Sequence, residues 1–218
     1  MSACITFFFE QAGWLLIIPV ILSIRWFRAF SRPFKWISLY VYLLFTTHVI
    51  SYFLWQRGQN NMVVAHVFSF FEFHILLYFF YLLLRPAFTA LACLCTALGF
   101  SGFFLADTFI WEGLYNLQTY SITLESVVFV FFSVWWFIHI VRDYKVPLSG
   151  LTDLRYVVIG ILLYFAGSVL LFALNDYVNK ITRSLRINVW SIHTLLALIL
   201  YGMICIGMWR RYTKWIHT

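Results

Sequence analysis

Ionisable side chains lie within long apolar stretches of this chain, where they could take part in acid–base chemistry or bind a metal ion. Imidazole and carboxylate groups bind transition metals, and both can take up and release protons. Within a bilayer such groups are energetically expensive, so they normally face the interior of a helical bundle and mark a candidate site. The residues that we consider candidates for a ligand pocket are His48, His66, Glu72, Tyr120, Ser121, Glu125 and His193.

Several chemical interpretations of these groups remain open. A zinc or transition-metal site would use His48, His66, Glu125 and His193 as ligands, and a haem would need two of these histidines on facing helices at equal depth. Alternatively, each group forms a hydrogen bond to a hydroxyl or a carbonyl of a neighbouring helix, which is the commoner situation for a single histidine. No lysine occurs between Ile187 and Trp209, which excludes a retinal Schiff base in the last helix.

The composition predicts that transmembrane helices position these residues. The chain has 218 residues, of which 63% are hydrophobic and 11% charged, whereas a soluble domain is about 25% charged. We therefore expect an all-α membrane protein, a bundle of seven transmembrane helices that forms a single domain over residues 1–218. The apolar runs long enough to span, at about 20 residues each, lie near 5–25, 35–56, 61–85, 87–110, 117–141, 155–175 and 187–209.

The distribution of basic residues predicts the orientation. Of the 15 Lys and Arg residues, all but Arg57, Lys180, Arg183 and Arg186 lie at one set of helix ends. Because cytoplasmic loops are enriched in Lys and Arg, we expect the N-terminus outside and the C-terminus in the cytoplasm. The net charge of +7 is dispersed in these short connections, a pattern that indicates membrane topology and not nucleic-acid binding.

With this orientation, the helical rise places several candidate residues in one layer. His66 and His193 lie roughly 9 Å below the outer end of their helices, His48 and Glu125 about 12 Å, and Glu72 about 17 Å. We expect the first four to surround an outward-facing pocket, with Glu72 beneath them. Ser121, one turn from Glu125, is expected to donate a hydrogen bond to it. Glu72 is expected to be a neutral acid or the partner of a protonated histidine.

Two glycines in the sixth predicted helix indicate a close helix–helix contact. Gly160 and Gly167 are seven residues apart, so they lie on one face of the helix. Small residues at this spacing allow a neighbouring helix to approach the backbone.

Over nearly its full length the chain resembles a family of small seven-helix inner-membrane proteins of Bacteroidota, which are hypothetical proteins without an established activity. The resemblance supports the seven-helix fold and draws attention to His66, Glu72, Glu125 and His193. The segments that carry it are Asn60–Tyr81, Tyr120–Ser126, Gly160–Phe172 and Trp190–His193.

Two classes of function fit these features. The first is a receptor or sensor of the bacterial inner membrane, with a small-molecule or lipid ligand in the polar pocket and a signalling partner at the cytoplasmic loops. The second is an intramembrane enzyme or redox protein that uses the same His and Glu residues to hold a metal or haem. A channel or transporter is a third class, but internal repeats and broken helices are not evident in the sequence.

Overall fold

The computed structural model describes residues 12–142, 148–174 and 183–216, and these residues form long helices joined by short connections. Seven of the described helical stretches are long and apolar enough to cross a membrane, and they indicate an all-α, multi-pass membrane protein. The helices are α1 Ile17–Trp26, with short 3₁₀ helices Ala12–Leu16 and Phe27–Ala29 at its ends; α2 Arg32–Gln56; α3 Met62–Leu84; α4 Ala90–Ala106, continued by the π-helical turn Asp107–Trp111; α5 Thr119–Arg142; α6 Leu148–Ala173; and α7 Arg183–Ile216.

The observed helices agree with the predicted spans except near the ends of some of them. Residues 5–11 of the first predicted span lie outside the described residues. Helix α6 begins at Leu148, before the predicted start at 155, and α7 continues to Ile216, beyond the predicted end at 209. Arg210, Arg211 and Lys214 end the apolar run of α7, but Arg and Lys are good helix formers, so hydropathy underestimates the length of that helix.

The extension of α7 brings a basic residue onto α6. The ammonium nitrogen of Lys214 lies 2.8 Å from Oδ1 of Asp153, whose side chain is buried. Because a buried carboxylate without a cation is expensive, this ion pair compensates the burial of Asp153. It also ties the last turns of α7 to the beginning of α6.

Helix α3 is the most enclosed element of the bundle. Helices α1, α2, α3, α5, α6 and α7 contact one another in this order, and α7 returns to α1. Helix α4 lies outside this ring and packs mainly against α3. Accordingly, 56% of the residues in the 18-residue apolar window of α3 are buried, but only 17% of those in the corresponding window of α4. The candidate residues of α3 are therefore surrounded by protein.

Phenylalanine rings fill the core on the side of α3 that faces α4 and α5. Phe73 of α3 stacks on Phe100 of α4, with ring centroids 3.6 Å apart. Phe80 lies against Phe129 of α5, and Phe129 in turn meets Phe165 of α6 at 5.0 Å. Aromatic pairs at these separations contribute packing energy beyond their buried area, and here they connect four helices.

The predicted close contact at the α6 glycines is confirmed. A Cβ atom at Gly160 would lie 2.9 Å from Cβ of Met203, and one at Gly167 would overlap the Leu196 side chain. Both neighbours belong to α7. The two glycines therefore set the distance between α6 and α7, the most extensive helix–helix contact among the described residues.

Candidate functional site

Two buried glutamates lie at the centre of the bundle, and we refer to Glu72 and Glu125 as the carboxyl pair. Glu72 of α3 is 5% exposed and accepts a hydrogen bond of 2.8 Å from the Tyr40 hydroxyl of α2. Glu125 of α5 is 1% exposed and accepts one of 3.0 Å from the Ser69 hydroxyl. Ser69 and Glu72 are three residues apart on α3, so they are neighbours on its surface, with Cβ atoms about 5–6 Å apart. Glu125 therefore approaches α3 within one turn of Glu72, and the two carboxyl groups interact electrostatically.

The partners of the carboxyl pair are hydroxyl groups. Within the described part of the chain, neither Glu72 nor Glu125 forms an ion pair with Lys, Arg or His. Of the two states expected for Glu72, this environment favours the neutral acid. Ser121, predicted as the donor to Glu125, donates to Asp107 instead, so that prediction is wrong and Ser69 is the donor.

A second feature is a cavity between the 3₁₀ helix Ala12–Leu16, α2, α6 and α7, which we call the histidine cavity. Its volume is about 260 Å³, and its lining includes Gly13, His48, Tyr164, His193 and Tyr201. The His48 ring lies directly against Gly13, and the His193 ring packs against Tyr164 with centroids 5.3 Å apart. The Nε2 atom of His48 and the Nδ1 atom of His193 are buried without a hydrogen-bond partner. Each imidazole therefore lines the cavity and has one ring nitrogen whose hydrogen-bonding capacity is unused.

Two tyrosines of the histidine cavity belong to the same region of the bundle as Glu72. Tyr164 of α6 and Tyr201 of α7 both line the cavity. Both are near enough to Glu72 to interact with it electrostatically, but among the described residues the hydroxyl bonded to Glu72 is that of Tyr40.

A third polar group, which we call the Asp107 cluster, consists of Asp107, Thr108, Gln118 and Ser121 and joins the end of α4 to the beginning of α5. Asp107 is fully buried, and one of its carboxylate oxygens accepts hydrogen bonds from the backbone N–H, at 2.9 Å, and the hydroxyl of Ser121. The first N–H groups of a helix have no partner within the helix and carry partial positive charge. Asp107 thus caps α5 from another helix. The sequence could have indicated Asp107 as a site residue, because it is the only Asp, Glu, Lys or Arg in the predicted span 87–110.

His66 contacts the Asp107 cluster and does not line the histidine cavity. Its Nε2 atom lies 3.0 Å from the carbonyl oxygen of Asn116, and its Nδ1 atom lies 3.4 Å from the Thr108 hydroxyl, which also accepts a 2.7 Å hydrogen bond from Gln118. Both ring nitrogens are therefore engaged. This arrangement favours a structural role for His66 in holding the 112–118 connection against α3.

Glu112 follows the π-helical turn and lies outside the membrane-spanning stretch Ala90–Trp111. Partial burial, and then repulsion by the neighbouring Asp107 carboxylate, raise the pKa of Glu112 to about 7. The charge at this end of α4 therefore changes near neutral pH.

The structure distributes the predicted pocket residues over several environments. Of the residues expected in one layer, only His48 and His193 share a cavity; His66 contacts Thr108 and Asn116, and Glu125 contacts Ser69. The Tyr120 side chain is 55% exposed and lies on the surface of the bundle. Depth along a helix does not specify the direction in which a side chain points, and that direction separates these residues.

The proposed metal ligands His48, His66, Glu125 and His193 are not assembled as a metal centre. Among the residues that the structure describes, no group of three or more His, Cys, Asp or Glu side chains could hold a metal ion. Two imidazoles in one cavity are fewer ligands than a protein zinc site commonly provides.

Comparison with protein-family models, with curated proteins and with solved structures gives no match. Membership of the Bacteroidota family therefore stays a prediction from the segments quoted above. What the protein does has to be inferred from the carboxyl pair, the histidine cavity and the Asp107 cluster.

Proposed function

We propose that this chain is a receptor-like protein of the bacterial inner membrane, which binds a small ligand in the histidine cavity and signals through its cytoplasmic connections to a partner. The observation that carries the proposal is that two histidines, each with a buried ring nitrogen that has no partner, line one cavity. A ligand that bonds to His48 and His193 would connect α2 with α7. It would thereby favour one packing of these helices over another, which is what a signalling ligand has to do.

The size of the cavity limits the ligand. A volume of about 260 Å³ is below the 300–1,000 Å³ typical of sites for drug-sized molecules. It corresponds to about nine water molecules at roughly 30 Å³ each. We therefore expect a small polar or amphipathic molecule that both donates and accepts hydrogen bonds, such as a short carboxylic acid, a phenol or an amine.

The proposed orientation places the N-terminus outside and the C-terminus in the cytoplasm. Its support is the distribution of basic residues, because 11 of the 15 Lys and Arg residues lie at one set of helix ends and cytoplasmic connections are enriched in Lys and Arg. A reporter fused after Thr218 should read cytoplasmic, and a tag before Met1 should be accessible from outside the cell. The reverse pattern would place the basic connections outside and contradict signalling through them.

A ligand screen with a cavity-filling variant tests the function. In Gly13→Ala the new methyl group overlaps the His48 ring, so the ring has to move and the cavity becomes smaller. A compound from a panel of short carboxylic acids, phenols and primary amines should stabilise the wild-type protein, by about 2.7 kcal/mol at 100 times its Kd. Thermal unfolding in detergent should show that Gly13→Ala loses this stabilisation.

Gly99→Ala is the matched control, because an added Cβ there meets no neighbouring atom within 4 Å. This variant should bind the compound as the wild-type protein does. Equal stabilisation of Gly13→Ala would place the ligand outside the histidine cavity. In cells, a transcriptional response to the compound that is unchanged by Gly13→Ala would contradict the receptor function.

The alternative function is an intramembrane metal or haem protein, and the specific observation in its favour is that His48 and His193 line the same cavity. Two imidazoles are a suitable pair of axial ligands for haem iron. The small volume of the histidine cavity argues against a haem macrocycle as its occupant. An absorption spectrum and a metal analysis of the purified protein decide between the two, because a stoichiometric haem or transition metal would establish the alternative.

A further inference from the structure

We propose that Glu72 and Glu125 form a proton-binding site at the centre of the bundle. The ligand of this site is the proton itself. The inference is independent of which molecule occupies the cavity, and it therefore does not rest on the receptor function.

The first step is the enclosure of the two carboxyl groups. Both side chains are at least 95% buried, and each lies within a helix that can span the membrane. A charged aspartate at the centre of a transmembrane helix already costs about 2.5–3.5 kcal/mol, and two carboxylates that share a site cannot both be ionised easily. At least one proton on the pair removes most of this penalty.

The second step is that no cation replaces this proton among the described neighbours. The groups that face the pair from the packed helices are hydroxyls and the partner carboxyl group itself. The other titratable groups of the region have partners of their own or face the cavity. His66 and His74 of α3 each bond through both ring nitrogens to partners other than the pair. Asp107 bonds to Ser121. The facing groups are Tyr40 of α2, Ser69 of α3, Glu125 of α5, Tyr164 of α6 and Tyr201 of α7.

The third step is an oxygen atom that can carry the proton. Ser69 occupies only Oε2 of Glu125, and Oε1 is buried without a partner. Ionised, this oxygen would hold negative charge in an apolar environment, whereas a protonated carboxyl group avoids that charge. The carboxyl pair thus has a defined position at which a proton binds.

Infrared spectroscopy of isotope-labelled protein tests the proton site. The chain contains four glutamates, Glu10, Glu72, Glu112 and Glu125, so in a Glu10→Gln, Glu112→Gln background a ¹³C-glutamate label reports the carboxyl pair alone. At pH 7 this protein should show a labelled carboxylic C=O band, and adding Glu72→Gln or Glu125→Gln should shift or remove it. A background protein with no labelled carboxylic band at pH 7 would overturn the proton site, and this readout needs neither further variant to fold.

Discussion

Replacing Asp107 by alanine should lower the free energy of unfolding by about 2–4 kcal/mol, because Ser121 then loses the acceptor for its buried backbone N–H and its hydroxyl. Each buried donor left without a partner is worth roughly 1–3 kcal/mol, and removing a carboxylate from the start of α5 also takes away its favourable interaction with the helix dipole. Part of the loss is offset, because the alanine variant no longer buries the other oxygen of Asp107, which has no partner in the wild-type protein. Denaturant titration in detergent, followed by tryptophan fluorescence, measures the effect.

Two comparisons identify the cause of the Asp107→Ala effect. Asp107→Asn keeps an acceptor oxygen, so it should retain more stability than the alanine variant does. Thr89 caps α4 in the ordinary local way, with its hydroxyl accepting a 3.2 Å hydrogen bond from the N–H of Ala92, and Thr89→Ala should lower the stability by only about 1 kcal/mol. An Asp107→Ala loss no larger than that of Thr89→Ala would show that the connection between α4 and α5 contributes little.

Replacing Gly160 by leucine should separate α6 from α7 and lower the free energy of unfolding by about 3 kcal/mol or more. At this position even a Cβ would lie 2.9 Å from Cβ of Met203 and 3.4 Å from Cα of Leu200. Neither atom can move without the α7 backbone. Overpacking of a tight contact commonly costs about 1–3 kcal/mol, and the rest of a leucine side chain adds to this. The same denaturant titration measures the change.

Gly202→Leu is the control for this prediction, because it introduces the same side chain on α7. An added Cβ at Gly202 meets no neighbouring atom within 4 Å, and leucine has a helix propensity up to about 1 kcal/mol better than that of glycine. We therefore expect the control to be as stable as the wild-type protein or more stable. Equal losses in the two variants would mean that Gly160 does not set the distance between the helices.

The sequence alone predicted the features that depend on the order of residues along one helix. Seven apolar runs predicted seven helices, because a spanning helix has to satisfy its own backbone and remain apolar over about 20 residues. The spacing of Gly160 and Gly167 predicted a close contact on one face of α6, which the structure confirms against α7. These properties are local, so the pattern of residues is sufficient to determine them.

The tertiary structure alone decided which polar residues meet. His66 and His193 are at a similar predicted depth, yet one bonds to the 112–118 connection and the other lines the histidine cavity. Tyr40, Ser69 and Asp107 were not among the predicted site residues, although each forms a buried hydrogen bond between helices. The physical reason is that depth follows from the fixed rise of the helix, whereas the rotation of each helix about its axis and the choice of its neighbours follow from the packing of the whole bundle.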